Sequence, residues 1–204
     1  MRVLVACEFS QVVCRAFRER GHEAYSCDVL PTEGNPEWHI QDDVLKHLDD
    51  GWDLMIAHPP CTYLTVTGNK WMKPEFKDRF PDRQKQREEA IKFFLALANA
   101  PIKRTAIENP VGIMSSVWRK PDQYIQPYNF GNRVVKKTAL WLKNLPPLFA
   151  TEIVEPEYIT YNSSTHPSGK SRYPIAWSDG SNGHERSRFF PGVAEAMATQ
   201  WGRE

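Results

Sequence analysis

The sequence predicts an α/β fold, an open sheet that is mostly parallel, finished by an antiparallel strand pair, with helices on both faces. Three observations predict it. Short apolar runs alternate with segments of helical periodicity as far as residue 107, the pattern that strings a parallel sheet. Two of those runs stop at proline-bearing turns, Ala57-His58-Pro59-Pro60-Cys61-Thr62 and Glu108-Asn109-Pro110. A chain of 204 residues, 41% hydrophobic, has enough apolar material for one well-buried domain and is short for two.

The elements follow in order. Residues 2–6 read as a strand and 11–20 as a helix, with Val12, Val13, Ala16 and Phe17 on one face and Gly21 ending it as a C-cap. Residues 22–27 make the second strand, and Asp28 opens a loop whose 31–36 stretch is rich in Pro, Gly and Asn. A weak strand at 38–40 and a short helix at 44–48 come next. The fourth strand, 53–57, leads through the cysteine turn to a long helix, 81–99, that turns Ile91, Phe94, Leu95 and Leu97 inward; the fifth strand is 103–107. Segments 123–128 and 137–142, parted by turn residues 129–132, are two further strands able to close the sheet antiparallel. Pro146-Pro147 then breaks the chain, and 150–183 lacks periodicity, as a long functional loop or small excursion would. A last helix, 191–201, is entered through Pro191 and packs back on a core formed by 1–145. One domain over 1–204 is the expectation.

No apolar run approaches the roughly 20 residues of a membrane span. The start, Met1-Arg2-Val3, enters a strand directly without a signal-peptide pattern, so a cytoplasmic location with no membrane partner is expected. Cys7, Cys14, Cys27 and Cys61 show no CxxC spacing, which argues for thiols rather than disulfides or a metal site. A formal net charge of +1 gives no bulk attraction to nucleic acid, so any basic footprint must be local. Candidates are Lys70, Lys73, Lys77, Arg79, Arg83, Lys85 and Arg87, whose interspersed acids suit a solvated face equally well, then Arg133, Lys136 and Lys137, then Lys170, Arg172, Arg186 and Arg188.

Open α/β sheets bind ligands beyond the carboxyl ends of their strands. Cys61 and Glu108 both fall there, a thiol and a carboxylate able to act as nucleophile and acid/base partner. His58, before the proline pair, suits either a general base or a hydrogen-bonding core histidine; the core reading is preferred and no catalytic role is assigned to it.

Pro59-Pro60-Cys61 and Glu108-Asn109, in this order and at two strand ends, resemble the DNA (cytosine-5) methyltransferases, and more closely a compact group of phage and prophage methyltransferase-like proteins. The resemblance covers roughly positions 1–145, with a further match at the last helix. It implies a Rossmann-like class I methyltransferase sheet and a reaction in which the Cys61 thiolate adds to carbon 6 of cytosine, making carbon 5 nucleophilic. Glu108 would hold the ring N3 and amino group, with Tyr63 or Trp71 as pocket aromatics. It also implies S-adenosylmethionine as methyl donor, held by Glu8, Phe9 and Ser10 after the first strand, Asp28 on the ribose, Asp43 on the adenine amino group, and Pro59. Asn109, Lys136, Thr138, Arg186 and Arg188 would meet the DNA substrate, the two arginines through phosphate or else an internal carboxylate.

The chain departs from that pattern in three places. Cys7-Glu8-Phe9-Ser10-Gln11-Val12 has none of the glycines that let the family's backbone approach the cofactor. Lys136 and Thr138 stand where the family has two arginines. Only 150–183 remains for target recognition, where the segment His166 to Tyr173, with Lys170 and Arg172, is a candidate contact; readout is then weak or supplied by a homodimer or protein partner. RNA or nucleotide substrates, a different donor, and a catalytically silent binding module are the alternatives.

Overall fold

The computed structural model describes residues 1–162, 170–174 and 188–203. The expectations for Arg186, for residues 166–169 and for residues 175–183 fall outside the described residues, as do the side chains of Lys170 and Arg172.

The elements are β1 Arg2–Ala6, α1 Val12–Arg18, β2 Glu23–Asp28, β3 His39–Gln41, β4 Leu54–Ala57, α2 Arg83–Ala98, β5 Arg104–Pro110, α3 Met114–Val117, β6 Gln123–Ile125, β7 Thr138–Lys143, β8 Tyr158–Asn162, β9 Lys170–Pro174 and α4 Pro191–Trp201. β1 to β7 form one sheet in the order β3-β2-β1-β4-β5-β7-β6. The first five strands are parallel, and β7 runs against both β5 and β6. This is the expected Rossmann-like α/β sheet, mostly parallel with an antiparallel strand.

Alternate residues of the central strands feed two cores, because successive side chains leave a strand on opposite faces. Val3, Val5, Leu54 and Ile56 pack against Phe17 of α1 and Met197 and Trp201 of α4. Leu4, Ala6, Met55 and Ala57 pack on the other side against Phe94 and Leu97 of α2. With both faces covered, the strands are apolar throughout, which is why they read as continuous runs. α4 lies close enough to the core that a side chain at Gly192 would collide with the Phe130 carbonyl.

Several boundaries differ from expectation. The strand expected at 38–40 begins one residue later, because Asn35 caps a 3₁₀ turn over Pro36–Trp38 by accepting from Glu37 N at 2.9 Å. The helix expected at 44–48 is a 3₁₀ turn, Val44–His47, capped by Asp43. β6 stops at Ile125 because Pro127 starts another turn. In α2, Ile91 and Leu95 are only half-buried whereas Arg87 is buried. The 150–183 segment contains the antiparallel ribbon β8–β9, whose polar, aromatic sequence hid its pairing.

β5 carries the correction that matters most for function. It does not end at Ile107. Its pairing with β4 stops there, but its pairing with β7 runs on through Glu108, Asn109 and Pro110. Glu108 is therefore inside a strand, held on one side and open on the other.

Candidate active site

β4 and β1 end together at Ala57 and Ala6, and His58 N adds one more bond, to Ala6 O, at 2.9 Å. Pro59 and Pro60 have no N–H to continue the ladder, so the chain leaves the sheet and turns. That turn is closed by Leu64 N and Thr65 N, which donate to the Cys61 carbonyl at 3.0 and 3.1 Å. The following loop docks on the one after β5: Ile113 N donates to Leu64 O at 2.8 Å, and Gly112 has no room for a side chain against the Leu64 carbonyl. Asn109 completes the tie by donating its buried side-chain amide to Pro59 O at 2.8 Å. The two strand tips are thus locked together by backbone and amide bonds.

They open on one cleft of about 550 Å³. Of the residues singled out from sequence, Cys61, Glu108, Asn109 and Lys136 line it, as do Phe9, Asp28, Pro59 and Arg188. A neighbouring cavity of about 240 Å³ shares Cys7, Asp28, Val29 and Pro60 with the cleft and brings in Asp43, Val44 and Phe93. Asp28 and Asp43 each have one oxygen in a local turn, accepting from Leu30 N at 2.9 Å and Leu45 N at 3.0 Å. Carboxylates at the rim of apolar walls suit the hydroxyls and flat ring of a nucleoside.

Glu8, Ser10 and Thr138 line neither cavity. Glu8 is 4% exposed, and its two oxygens accept from Val13 N at 2.7 Å and Cys14 N at 3.1 Å, so it serves the start of α1 rather than a ligand. Burial pushes its carboxyl above the usual range, against the pull of His58, the two amides and Arg15. The loop achieves its turn without glycine by holding Cys7 and Gln11 at φ 60° and 57°, left-handed values that side chains resist. Gln11 is fixed there by its amide, which donates to Asn35 O and accepts from Asn35 N, both at 2.8 Å. The amides of Cys7 and Glu8 point back to Cys27 O at 2.7 and 3.3 Å. The residues present fit the nucleoside part of S-adenosylmethionine, while two amides of the loop, those of Cys7 and Glu8, are already bonded within the chain.

Thr138 points its hydroxyl to Lys136 O at 3.1 Å. Arg188 forms an ion pair with Glu33 at 2.9 Å, the internal-carboxylate alternative. Tyr63 and Trp71 line neither cavity; Trp71 sits edge-on to Phe76 and Phe80, with Lys70 and Arg79 over its ring. The cleft aromatics are instead Phe9 and Phe189. Of the basic run, Arg87 turns inward to Tyr63 O and Asn69 Oδ1, anchoring the loop after Cys61.

Reading the sequence missed His58 as a cleft residue. Its Nδ1 lies 3.2 Å from Glu108 Oε2, and the Phe189 ring packs on the imidazole at a tilt of 45° with centroids 4.5 Å apart. Burial opposes ionisation of Glu108, but the His58 ring, the Lys136 ammonium and Thr138 outweigh it and hold the carboxyl below the usual range. The neighbouring thiols are kept protonated: burial pushes Cys14 and Cys27 up to about 12, and Cys7 further. Cys61 is half-buried at the cleft wall.

No family model and no curated protein matches the chain. Among solved structures it is similar to a prophage-encoded protein (E. coli) described as a proposed DNA modification methyltransferase, at 13% identity and a TM-score of 0.45. The match covers 76% of this chain and 52% of the other, so this chain spans about half that protein's length. No helix among the described residues is long and apolar enough to cross a membrane.

Proposed function

We propose that the protein, as one domain over 1–204, transfers a methyl group from S-adenosylmethionine to carbon 5 of cytosine in DNA through a covalent bond to Cys61. The observation that carries this reading is that Cys61 and Glu108 line one cleft, beside a cavity rimmed by Asp28 and Asp43. The cleft volume suits a single extruded base, whose unstacking costs a few kcal/mol and is offset by contacts within the pocket.

In this scheme the Cys61 thiolate adds to carbon 6, and Glu108 holds the amino group and a protonated N3, so that the electron pair displaced by the attack is neutralised as it enters the ring. Asp28 and Asp43 would hold S-adenosylmethionine, which would supply the electrophilic methyl group. A base then removes the carbon 5 proton, and elimination at carbon 6 returns the thiolate. Asn109 acts by holding the Pro59 carbonyl and hence the cysteine turn. Lys136 adds positive charge beside Glu108. Sequence readout beyond the target base is weak or comes from a partner.

A second reading, a changed donor or a silent nucleic-acid or partner-binding module, is favoured by the 7–11 loop, whose Cys7 and Glu8 amides and Glu8 and Gln11 side chains bond within the chain. Calorimetry with S-adenosylmethionine separates the two. Incubation with tritiated S-adenosylmethionine and separate pools of duplex DNA, single-stranded DNA and RNA, followed by nucleoside mass spectrometry, tests the reaction. Label at carbon 5 of cytosine is expected; its absence from folded protein overturns the methyl-transfer reading.

A further inference from the structure

Glu108 and His58 line the cleft and are almost fully enclosed, with side-chain exposures of 8% and 11%. Each leaves one polar atom buried without a hydrogen-bond partner, Oε1 of the glutamate and Nε2 of the histidine. Their other polar atoms meet, Nδ1 to Oε2, at 3.2 Å. Buried polar atoms are nearly always bonded, and an orphan acceptor on a residue that lines a cleft is one that a donor on a bound ligand would satisfy.

The surrounding charges come from three directions. Glu8, on the loop after β1, faces His58, and Arg15 of α1 faces Glu8. Lys136 and Thr138, at the start of β7, face Glu108. Phe189 packs against the histidine ring at an interplanar angle of 45°.

We propose that His58 is a positioning residue: its Nδ1–H donates to Glu108 Oε2 and fixes the glutamate as an ionised acceptor, with Oε1 aimed at the Watson–Crick edge of the bound base. A carboxylate in that state repels a bare ring nitrogen and the carbonyls of an imide edge. It accepts an amino group, and it accepts the adjacent ring nitrogen only once that nitrogen has taken a proton. Glu108 has none to give, so the proton enters from solvent as the base docks and leaves with the product. The base selected is of the cytosine type rather than the uracil type. The identity of the base rests on the proposed function; the state of the glutamate does not.

The test is a carbon-13 NMR titration of glutamate carboxyls in the whole protein, with Glu108→Gln identifying the resonance. Glu108 should titrate below the ordinary carboxylate range in the native protein. It should stay there in His58→Asn, whose amide donates from nearly the place of Nδ1. In His58→Ala, where burial acts unopposed by the ring, it should rise by about 1–3 pH units. His58→Leu, which fills the space beneath Phe189 without a donor, substitutes if the alanine variant does not fold. An unchanged Glu108 midpoint in the variants lacking the donor overturns the proposal. Methyl transfer on the same proteins adds a second readout, since the acid limb of kcat/KM should follow the Glu108 midpoint. If the native protein transfers no methyl group, the proposed function fails while the titration still decides the role of His58.

Discussion

Glu8 and Glu108 are both buried glutamates beside His58, at the tips of strands separated only by β4, yet their carboxyls shift in opposite directions. Glu8 has both oxygens on α1 amides, and burial outweighs these and the pull of His58 and Arg15. Glu108 has a histidine and a lysine facing it, and these outweigh burial. The difference shows where the chain has kept chemical capacity. Glu8 is fully used in holding the start of α1, whereas Glu108 retains an oxygen unbonded among the described residues.

The comparison sharpens most on activity. Cys61→Ala should reduce methyl transfer to background, and a fluorinated cytosine should trap the native protein but not this variant; surviving transfer would sink the thiol mechanism. Glu108→Gln should cut kcat by about 10²–10⁴-fold while Glu8→Gln leaves it nearly unchanged, as steady-state assays on folded protein would reveal. Equal losses would mean that the two carboxylates are not divided between chemistry and structure.

Stability against pH breaks the comparison a second way. Glu108 has a lowered carboxyl, so its contribution is present above the ordinary value of 4.5 and is lost as pH falls through its folded value. Glu8 has a raised one, so its contribution is present below 4.5 and is lost as pH rises through its folded value. Urea titrations across that range should find Glu108→Gln less acid-sensitive than the native protein and Glu8→Gln less sensitive to rising pH. Glu8→Ala removes the helix cap and should cost about 0.5–2 kcal/mol, measurable by the same titrations. The smallest effect belongs to Arg188→Ala, which breaks an exposed pair with Glu33 and should change unfolding free energy by about 1 kcal/mol at most. A larger loss would make Arg188 a structural strut of the cleft.

Much of the fold was legible because it is written locally. Continuous apolar runs located β1, β4 and the start of β5, and Gly21, at φ 81°, marked the end of α1. Pairing that depends on a distant partner was not. The extension of β5 through Glu108 exists only because β7 reaches past β4, and β8–β9 pairs residues too polar to announce a strand. The missing glycines in the 7–11 loop were visible, but their remedy was not, since it lies in Gln11 being clasped by Asn35.

The sequence by itself determined the alternation of strands and helices and set a thiol just past one strand and a carboxylate near the end of another, because periodicity and proline punctuation act over a few residues. Only the tertiary structure decided which carboxylate is available and in what state. Protonation depends on burial and on neighbours brought from afar: His58 reaches Glu108 across 50 positions of sequence, and Lys136 arrives from beside β7.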